Sequence, residues 1–444
     1  NLNLTNCTFK DNVCSYASGN ARAGAIYLVS NSTNKLINCT ISGCTFDNND
    51  VTYASANYGG GAIFSYYTNL NIDKSIFHDN TSNAANGDGG ALYIYNSNIP
   101  RTFSLTNSLF YDNTSKDDGA AMYLTSTATT VTLANNIFVD NSTTGTSATG
   151  DRIVFITAGA GSSIANCIFN SNDDGNRDIY ANSNAPLYNC IIDDASSVSY
   201  TDGGNNLLTS SVGEPTYADY NGNDFSYATG SIGIGAGSST YAPATDINGI
   251  TRPQGSVDDI GCYELLCSGS SASASAGSDQ TQTAVASFTM AANTPSSGSV
   301  GTWSVTNGTA TIANVNSPST TVTDIGFGSS ATLRWSVRKG GCDANTDDVV
   351  ITNTAPSNWY VATTGSNSNL GTQSDPFLTL TYAISQANDG NTIHVAAGTY
   401  NDDQDIALSS GSKSLTIVGA GNNTSTGTVF DNNDVIGERF IHMY

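Results

Sequence analysis

Hydrophobic and polar positions along the first half of this chain recur in one short phrase. Leu4-Thr5-Asn6-Cys7-Thr8-Phe9 is followed by Lys10-Asp11-Asn12, and the phrase returns as ISGCTFDNN from Ile41, IDKSIFHDN from Ile72, LTNSLFYDN from Leu105, LANNIFVDN from Leu133 and IANCIFNSN from Ile164. A degenerate copy, LYNCIIDDA, begins at Leu187. The aromatic anchors Phe9, Phe46, Phe77, Phe110, Phe138 and Phe169, with Ile192 last, are separated by 37, 31, 33, 28, 31 and 23 residues. A constant phrase at intervals of this size and irregularity predicts stacked coils joined by loops of varying length.

A second apolar phrase lies between the copies: GAIYL from Gly24, GAIFS from Gly61, GALYI from Gly90, AAMYL from Ala120 and a weaker RIVFI from Arg152. Each coil therefore carries at least two short strands. No helical pattern separates them, which argues against a doubly wound β-α-β sheet. The arrangement that remains is a parallel β-helix, each strand pairing with its counterpart one coil away at about 4.8 Å.

In such a fold Cys7 and Phe9 share a parity and point inward. Leu4 is out of step with them, so a bend is expected near Asn6. Phe is expected to stack on Phe from coil to coil, with small Cys, Ser or Asn side chains stacked beside it. Asn12, Asn49, Asn80, Asn113, Asn141 and Asn172 each follow the Phe by three residues. Asn tolerates the left-handed backbone of a corner, and its amide can bond the Asn of the next coil to form a ladder. These residues are expected to be structural, not catalytic. The Gly before each second strand suits a tight corner.

The charge balance narrows the function classes. Only 11% of the 444 residues are charged, with 14 Lys and Arg against 37 Asp and Glu, a formal net charge of −23. Phosphate contact needs a basic surface, so nucleic acid is not an expected partner, and acidic membranes and polymers are disfavoured likewise. No apolar run approaches a membrane span. Of the nine cysteines, Cys7, Cys44, Cys167 and Cys190 share one place in the phrase and read as small buried filler, inter-coil disulfides such as Cys7 with Cys44 being the alternative. Cys267 and Cys342 are the disulfide candidate, which an exported chain would permit. With no CxxC and no Cys/His cluster, zinc is not expected.

Candidate chemistry is thin. Asp79, Asp112 and Asp140 form a column beside the Asn positions and read as solvated turn acids; a glycosidase would need two carboxylates facing one groove. His78, His394 and His442 are scattered, and His78 fills a variable slot of the phrase. Calcium is the one cofactor with a foothold, in Asp47-Asn48-Asn49-Asp50, Asn172-Asp173-Asp174-Gly175, Asp402-Asp403 with Asp405, and Asp431-Asn432-Asn433-Asp434. None matches a complete calcium-loop spacing, so the expectation is no cofactor, no metal and no enzymatic activity.

Three stretches carry resemblances. Asp246-Ile247-Asn248-Gly249-Ile250-Thr251-Arg252-Pro253, followed by Val257-Asp258-Asp259-Ile260-Gly261-Cys262-Tyr263-Glu264, resembles the closing signature of secreted bacterial right-handed β-helix proteins, with Cys262 where that signature has Ala. The resemblance implies a segment that closes the open bottom of the helix. After the linker-like SGSSASASA at 268–276, residues to Asn353 read as short alternating strands. They resemble the PKD-like or Ig-like modules of giant surface adhesins of gliding bacteria, with Trp303 and Trp335 as core aromatics. WYVATTGSNSNLGTQSDPFLTLTYAISQANDGNTIHVAAGTY, from Trp359, is similar to the opening segment of pectate-lyase-like β-helices and implies a capping helix over 378–388.

The expected fold is therefore all-β: a right-handed parallel β-helix body with its closing segment over 1–264, an Ig-like or PKD-like β-sandwich over 265–355, and an opening cap with the first coils of another β-helix over 356–444. A chain that opens inside a repeat phrase, without Met, is expected to be a processed or excerpted piece. Read tail to head, the two β-helical stretches continue one another, so covalent tandem repeats or head-to-tail self-association are expected. The function expected is a structural unit of an extracellular filament, stalk or cell-surface adhesin, with loops 13–23 and 50–59 as candidate contacts to a glycan or other surface ligand. The competing expectation is a polysaccharide lyase, glycosidase or glycan-binding module, which a groove lined by Asp, Arg and aromatic side chains would favour.

Overall fold

The structure, a computed structural model, describes residues 1–15, 22–30, 37–52, 59–83, 87–97, 99–145, 152–170, 172, 177–193, 199–267, 269, 271–401, 406–408, 413–423, 426–431 and 441–443. The chain divides into two compact units, the first comprising Asn1–Ser271, Ser297–Val300 and Arg338–Ala344, the second Ala272–Ser296, Gly301–Val337 and Asn345–Tyr444. The second unit holds both the sandwich and the later coils, which the sequence divides at residue 355.

The first unit winds through four stacks of parallel strands. One runs from Leu2–Thr5 through Asn38–Ser42, Asn69–Asp73, Arg101–Thr106 and Thr129–Ala134 to Asp202–Gly204. The next carries the Phe anchors, from Thr8–Lys10 through Thr45–Asp47, Ile76–His78, Leu109–Tyr111, Ile137–Val139 and Ile168–Asn170 to Leu207–Leu208. A third consists of two-residue strands between Val13–Cys14 and Ser142–Thr143, and the fourth runs from Ile26–Val29 through Ile63–Tyr66, Leu92–Tyr95, Met122–Thr125 and Arg152–Thr157 to Arg177–Ala181. Register puts like opposite like: Phe9 on Phe46, Phe46 on Phe77, Phe77 on Phe110, Phe110 on Phe138 and Phe138 on Phe169. Their ring centroids lie 4.9, 4.6, 4.6, 5.1 and 5.2 Å apart. From Phe46 to Phe169 these rings are 0% exposed.

Two corners per coil use left-handed backbone. Asn6, Gly43, Lys74, Asn107, Asn135, Asn166 and Asn189, with φ between 47° and 65°, turn the chain from the leading strand into the Phe strand, at the bend expected near Asn6. The second corner is held by Asp11, Asn48, Asp79, Asp112 and Asp140, with φ between 52° and 56°. This corrects the sequence reading, which gave that conformation to the Asn one residue later. Asp and Asn both tolerate it, and the choice follows from the following residue's need to point inward.

That inward Asn is a filled hydrogen-bonding position. Asn12 donates its amide to Asn49 Oδ1 at 2.7 Å, and Asn49, Asn80, Asn113 and Asn141 repeat the bond to Asn80, Asn113, Asn141 and Asn172 at 2.8, 2.9, 2.9 and 3.2 Å. The same Oδ1 accepts the preceding Asn's backbone N–H, as Asn113 Oδ1 does from Asn80 at 3.1 Å. The second amide proton goes to the carbonyl of the Phe one coil back, as from Asn113 to Phe77 at 2.8 Å. Each amide thus closes a corner that would otherwise bury bare peptide groups. A parallel ladder links backbone N–H groups to Cys44 Sγ, Ser75 Oγ, Ser108 Oγ and Asn136 Oδ1, each from the residue one coil back. Gly61 and Gly90 sit where stacking leaves no room: a Cβ would lie 2.0 and 2.1 Å from the carbonyls of Gly90 and Ala120.

The outer side of the Phe stack is also apolar. Leu109, Ile137, Val139, Ile168 and Ile191 pack under Phe225, Tyr227, Ile234, Ile260 and Cys262. The closing segment therefore lies along the side of the coils as well as following them in sequence, contrary to the bottom-closing role its signature implies. Asn135 Nδ2 donates to the carbonyls of Asp259 and Gly261, 3.0 Å each, and Gly261 N–H donates to Asn166 O at 2.7 Å. The physical reason is the double-sided apolar strand, whose outer face needs cover. The segment is pinned by Arg252, whose guanidinium meets Glu264 at 2.8 Å with both side chains 1% exposed.

In the second unit a sheet of Gln280–Thr283, Asn345–Thr354, Ser329–Lys339 and Ser299–Asn307 faces one of Phe288–Thr289, Thr321–Thr323 and Thr311–Ile312. Between them lie Trp303 and Trp335, centroids 5.0 Å apart, with Phe288, Leu333, Val349 and Ile351. Beyond it, strands Asn358–Val361, Thr392–Val395 and Thr416–Gly419 pair in parallel, with the helix Leu380–Gln386 burying Leu380 and Ala383 against them. Thr379 caps that helix, accepting from Tyr382 N–H, so it is shorter at both ends than the expected 378–388.

Replacing Asn113 by Ala strands donors of Asn80 and the carbonyl of Phe77. The expected loss is on the order of 3 kcal/mol by chemical denaturation, summing two to three unsatisfied groups. Phe77→Ala should cost a similar ~3–5 kcal/mol. Losses below half of these would contradict stacked, filled ladders.

Candidate binding face

The second phrase of each coil has inward and outward positions. In GAIYL and its copies the Ile and Leu point into the core, leaving the aromatic between them to face outward. Register aligns Tyr27, Phe64, Tyr93, Tyr123, Phe155 and Tyr180 in one outer column. From Phe64 onward consecutive rings stack at 5.0, 5.1, 4.7 and 4.9 Å. Two residues along the same strands, Tyr66 and Tyr95 form a second outward pair at 5.5 Å. The sequence reading noted the phrase but not this column, and the signal was the alternation itself: an aromatic between two aliphatics in a strand cannot share their face.

The guanidinium of Arg22 stands 5.3 Å over the Phe64 ring, and that of Arg152 stands 5.2 and 5.1 Å over Phe155 and Tyr180. Arg22, Phe64, Tyr66, Tyr93 and Tyr95 line a half-open cleft of about 240 Å³. Beside the column lies a carboxylate group. Asp118 binds Arg152 at 2.8 Å and accepts its backbone N–H at 3.1 Å, while Asp88 accepts the N–H of Asp118 at 3.2 Å. Burial, reinforced by Asp117 and Asp118, pushes the Asp88 carboxyl up to about 8. Burial also raises Asp118, against the pull of Arg152. The pair thus holds a protonated acid at neutral pH next to a carboxylate anchored by a cation.

The residues singled out from sequence fall elsewhere. The Phe and Asn ladders lie in the interior and at the second corner. Asp79, Asp112 and Asp140 do form the corner column; Asp79 and Asp112 are exposed, as a solvated turn acid should be, while Asp140 is half-buried. Desolvation raises the carboxyls of Asp112 and Asp140, and Asp140 accepts from the Tyr220 hydroxyl. His78 is more than a slot filler: its Nδ1 lies 2.8 Å from Asp79 and 3.7 Å from Asp47, and its ring stacks on Tyr111 at 4.9 Å. These three side chains bring donor atoms within 4.8 Å of one another, but Lys10 already neutralises Asp47 at 2.5 Å.

The Asp47–Asp50 run does not converge on a cation, since Asn49 turns into the ladder and Asn48 donates to Asp11. Asp173, Asp174, Gly175, Asp402, Asp403, Asp405 and Asn432–Asp434 lie outside the described residues, as do most of loops 13–23 and 50–59 and the His442 side chain. Cys267 and Cys342 are joined in a disulfide with Cα atoms 4.5 Å apart. Cys7 and Cys44 are free thiols, Cys44 accepting the N–H of Cys7 instead of bonding its sulfur.

A family described as a right-handed beta helix region matches residues 1–153, and a family described as a protein of unknown function, DUF1565, matches residues 363–427. No curated protein matches the chain. With its stacked parallel sheets, the chain is a right-handed parallel β-helix protein, mostly β with short helices and additional small sheets. Among the described residues no helix is long and apolar enough to cross a membrane.

Asp88 sets a pH dependence. Its folded pKa of about 8 exceeds the ordinary ~3.9 of an unfolded Asp. The stability it confers is therefore complete below pH ~4 and is lost as pH rises toward 8. Thermal melting should show a falling midpoint between pH 5 and 8.5. Asp88→Asn should flatten that fall by on the order of 5 °C; an unchanged slope in the variant would show that Asp88 ionises normally.

Proposed function

We propose that this chain is a structural module of an extracellular filament, stalk or cell-surface adhesin. The observation that carries the reading is the unbroken pair of interior ladders, Phe9 to Phe169 and Asn12 to Asn172. Rung-to-rung hydrogen bonds all run along the coil axis, so a load along that axis is shared among the backbone bonds and side-chain ladders of every coil. Such a body serves as a stiff spacer. Parallel coils occur in both units, Leu2–Leu208 in the first and Asn358–Met443 in the second, and coil edges of this kind pair with one another. Joining in series, covalently or by head-to-tail contact of separate chains, is the assembly this supports. The net charge of −23 favours a solvated surface over attachment to nucleic acid or acidic membranes.

A second reading, a glycan-binding or carbohydrate-active module, is favoured by one observation: the outer aromatic column with its arginines and the Asp88–Asp118 pair.

Electron microscopy of the purified chain, combined with mass measurement across a wide concentration range, tests the first reading. End-to-end oligomers of rods are expected. Strict monomers at every concentration would contradict series assembly by separate chains, and release of new reducing ends from a polysaccharide would replace the structural reading with an enzymatic one.

A further inference from the structure

We propose that Asp47, His78 and Asp79 form a binding site for one divalent transition-metal ion of the zinc type, clipped between the second and third coils. The site is independent of the mechanical role proposed above.

Coil geometry brings the three residues together. Asp47 ends the strand Thr45–Asp47, His78 ends the strand Ile76–His78, and the register sets one on the other. Phe46 and Phe77 are buried in the core, so the residue after each points outward. Asp79 follows at the left-handed corner, with φ 56°, and its carboxylate returns beside the imidazole. His78 Nδ1 thus lies 2.8 Å from Asp79 Oδ2 and 3.7 Å from Asp47 Oδ1. One donor atom from each residue falls within 4.8 Å of the other two. The imidazole stacks on Tyr111, centroids 4.9 Å apart and planes 3° from parallel, which fixes its plane. Backbone register and ring stacking therefore position the donors, a more exact support than a loop.

The donor set selects the ion. Zinc bonds to nitrogen and oxygen run about 2.0–2.2 Å, which places neighbouring donors roughly 3.0–3.5 Å apart. The separations of 2.8 and 3.7 Å reach that window by small side-chain adjustments. One imidazole nitrogen with two carboxylate oxygens suits Zn²⁺, Co²⁺ or Ni²⁺, whereas Ca²⁺ and Mg²⁺ take oxygen and would leave the imidazole unused. Coordination needs Nδ1 bare, so the ring keeps its proton at Nε2 and the Nδ1 proton passes to water. The Asp79 side chain is 55% exposed, against 18% for His78 and 16% for Asp47. An ion enters past Asp79 and keeps waters on that side.

The surrounding charge favours a cation. Asp11, Asp112 and Asp140 stand in the same corner column. Repulsion from Asp79 and Asp140 adds to burial in raising the Asp112 carboxyl, a sign of the negative field around the site. Lys10 relieves part of that field, but its side chain is 57% exposed and it holds Asp47 through Oδ2, while Oδ1 is the oxygen nearer the imidazole. A divalent ion at Oδ1 competes with Lys10 for the same carboxylate.

The test is calorimetry of the metal-stripped full chain with Zn²⁺ and with Ni²⁺, each in excess Ca²⁺, together with melting curves. One ion per chain is expected, with a higher melting midpoint on binding. His78→Ala and Asp79→Asn should each weaken binding about tenfold or more. Asn tolerates the corner conformation, so the second variant keeps the fold. Lys10→Ala should tighten binding severalfold, because a competing charge is gone; loss of a merely structural ion pair would not do so. Cys14→Ser and His394→Ala, outside the triad, should leave the affinity unchanged. No binding by a chain with a native melt overturns the proposal. So do binding that survives both His78→Ala and Asp79→Asn, binding abolished by excess Ca²⁺, which marks a plain acidic surface, and binding lost in Cys14→Ser, which marks capture by a thiol. Rod assembly judges the structural reading separately, so failure of one is distinguishable from failure of the other.

Discussion

Everything in the first unit depends on the demand that each coil bury the same groups as the coil beside it. A parallel β-helix has no core in the ordinary sense of distant elements meeting; it has columns. The corner after each Phe strand shows why the demand is strict. A bend there frees peptide groups in the interior, and burying them bare is costly. An Asn amide such as that of Asn113 satisfies the neighbouring coil's Asn N–H, its Asn side chain and its Phe carbonyl at once. The stacked Phe column beside it supplies apolar burial, but Phe would tolerate other large apolar residues; the Asn would not tolerate a residue lacking both donor and acceptor.

The same demand explains how much was legible. Like-on-like stacking forces repetition, and repetition is visible in a single sequence, so the Phe and Asn columns and the bend at Asn6 could be read directly. The corner conformation was misplaced by one residue because Asp79 and Asn80 are both residue types that accept left-handed backbone, and only the inward ladder decides between them. The lateral course of the closing segment could not be read, because it depends on Leu109, Ile137 and Ile168 being apolar on the outer side of strands whose inner side is already filled.

The outer face of the fourth stack teaches a different lesson. Tyr27, Phe64, Tyr93 and Tyr123 repeat as regularly as the interior Phe residues on the strand face that points away from the core, where Tyr27 is 54% exposed and Phe64 and Tyr93 are 1% exposed. Their recurrence alongside Arg22, Arg152 and the Asp88–Asp118 pair gives the scaffold a surface with chemistry of its own. Strand register holds the outer rings at the same rung spacing as the interior columns.

The most direct test of this account is an experimental density map of the first unit at a resolution that shows side chains. The account predicts Phe46, Phe77 and Phe110 as successive parallel rings about 4.6 Å apart, flanked by the amides of Asn49, Asn80 and Asn113 in hydrogen-bonding contact. Rings offset by a rung, or Asn side chains turned to solvent, would contradict it.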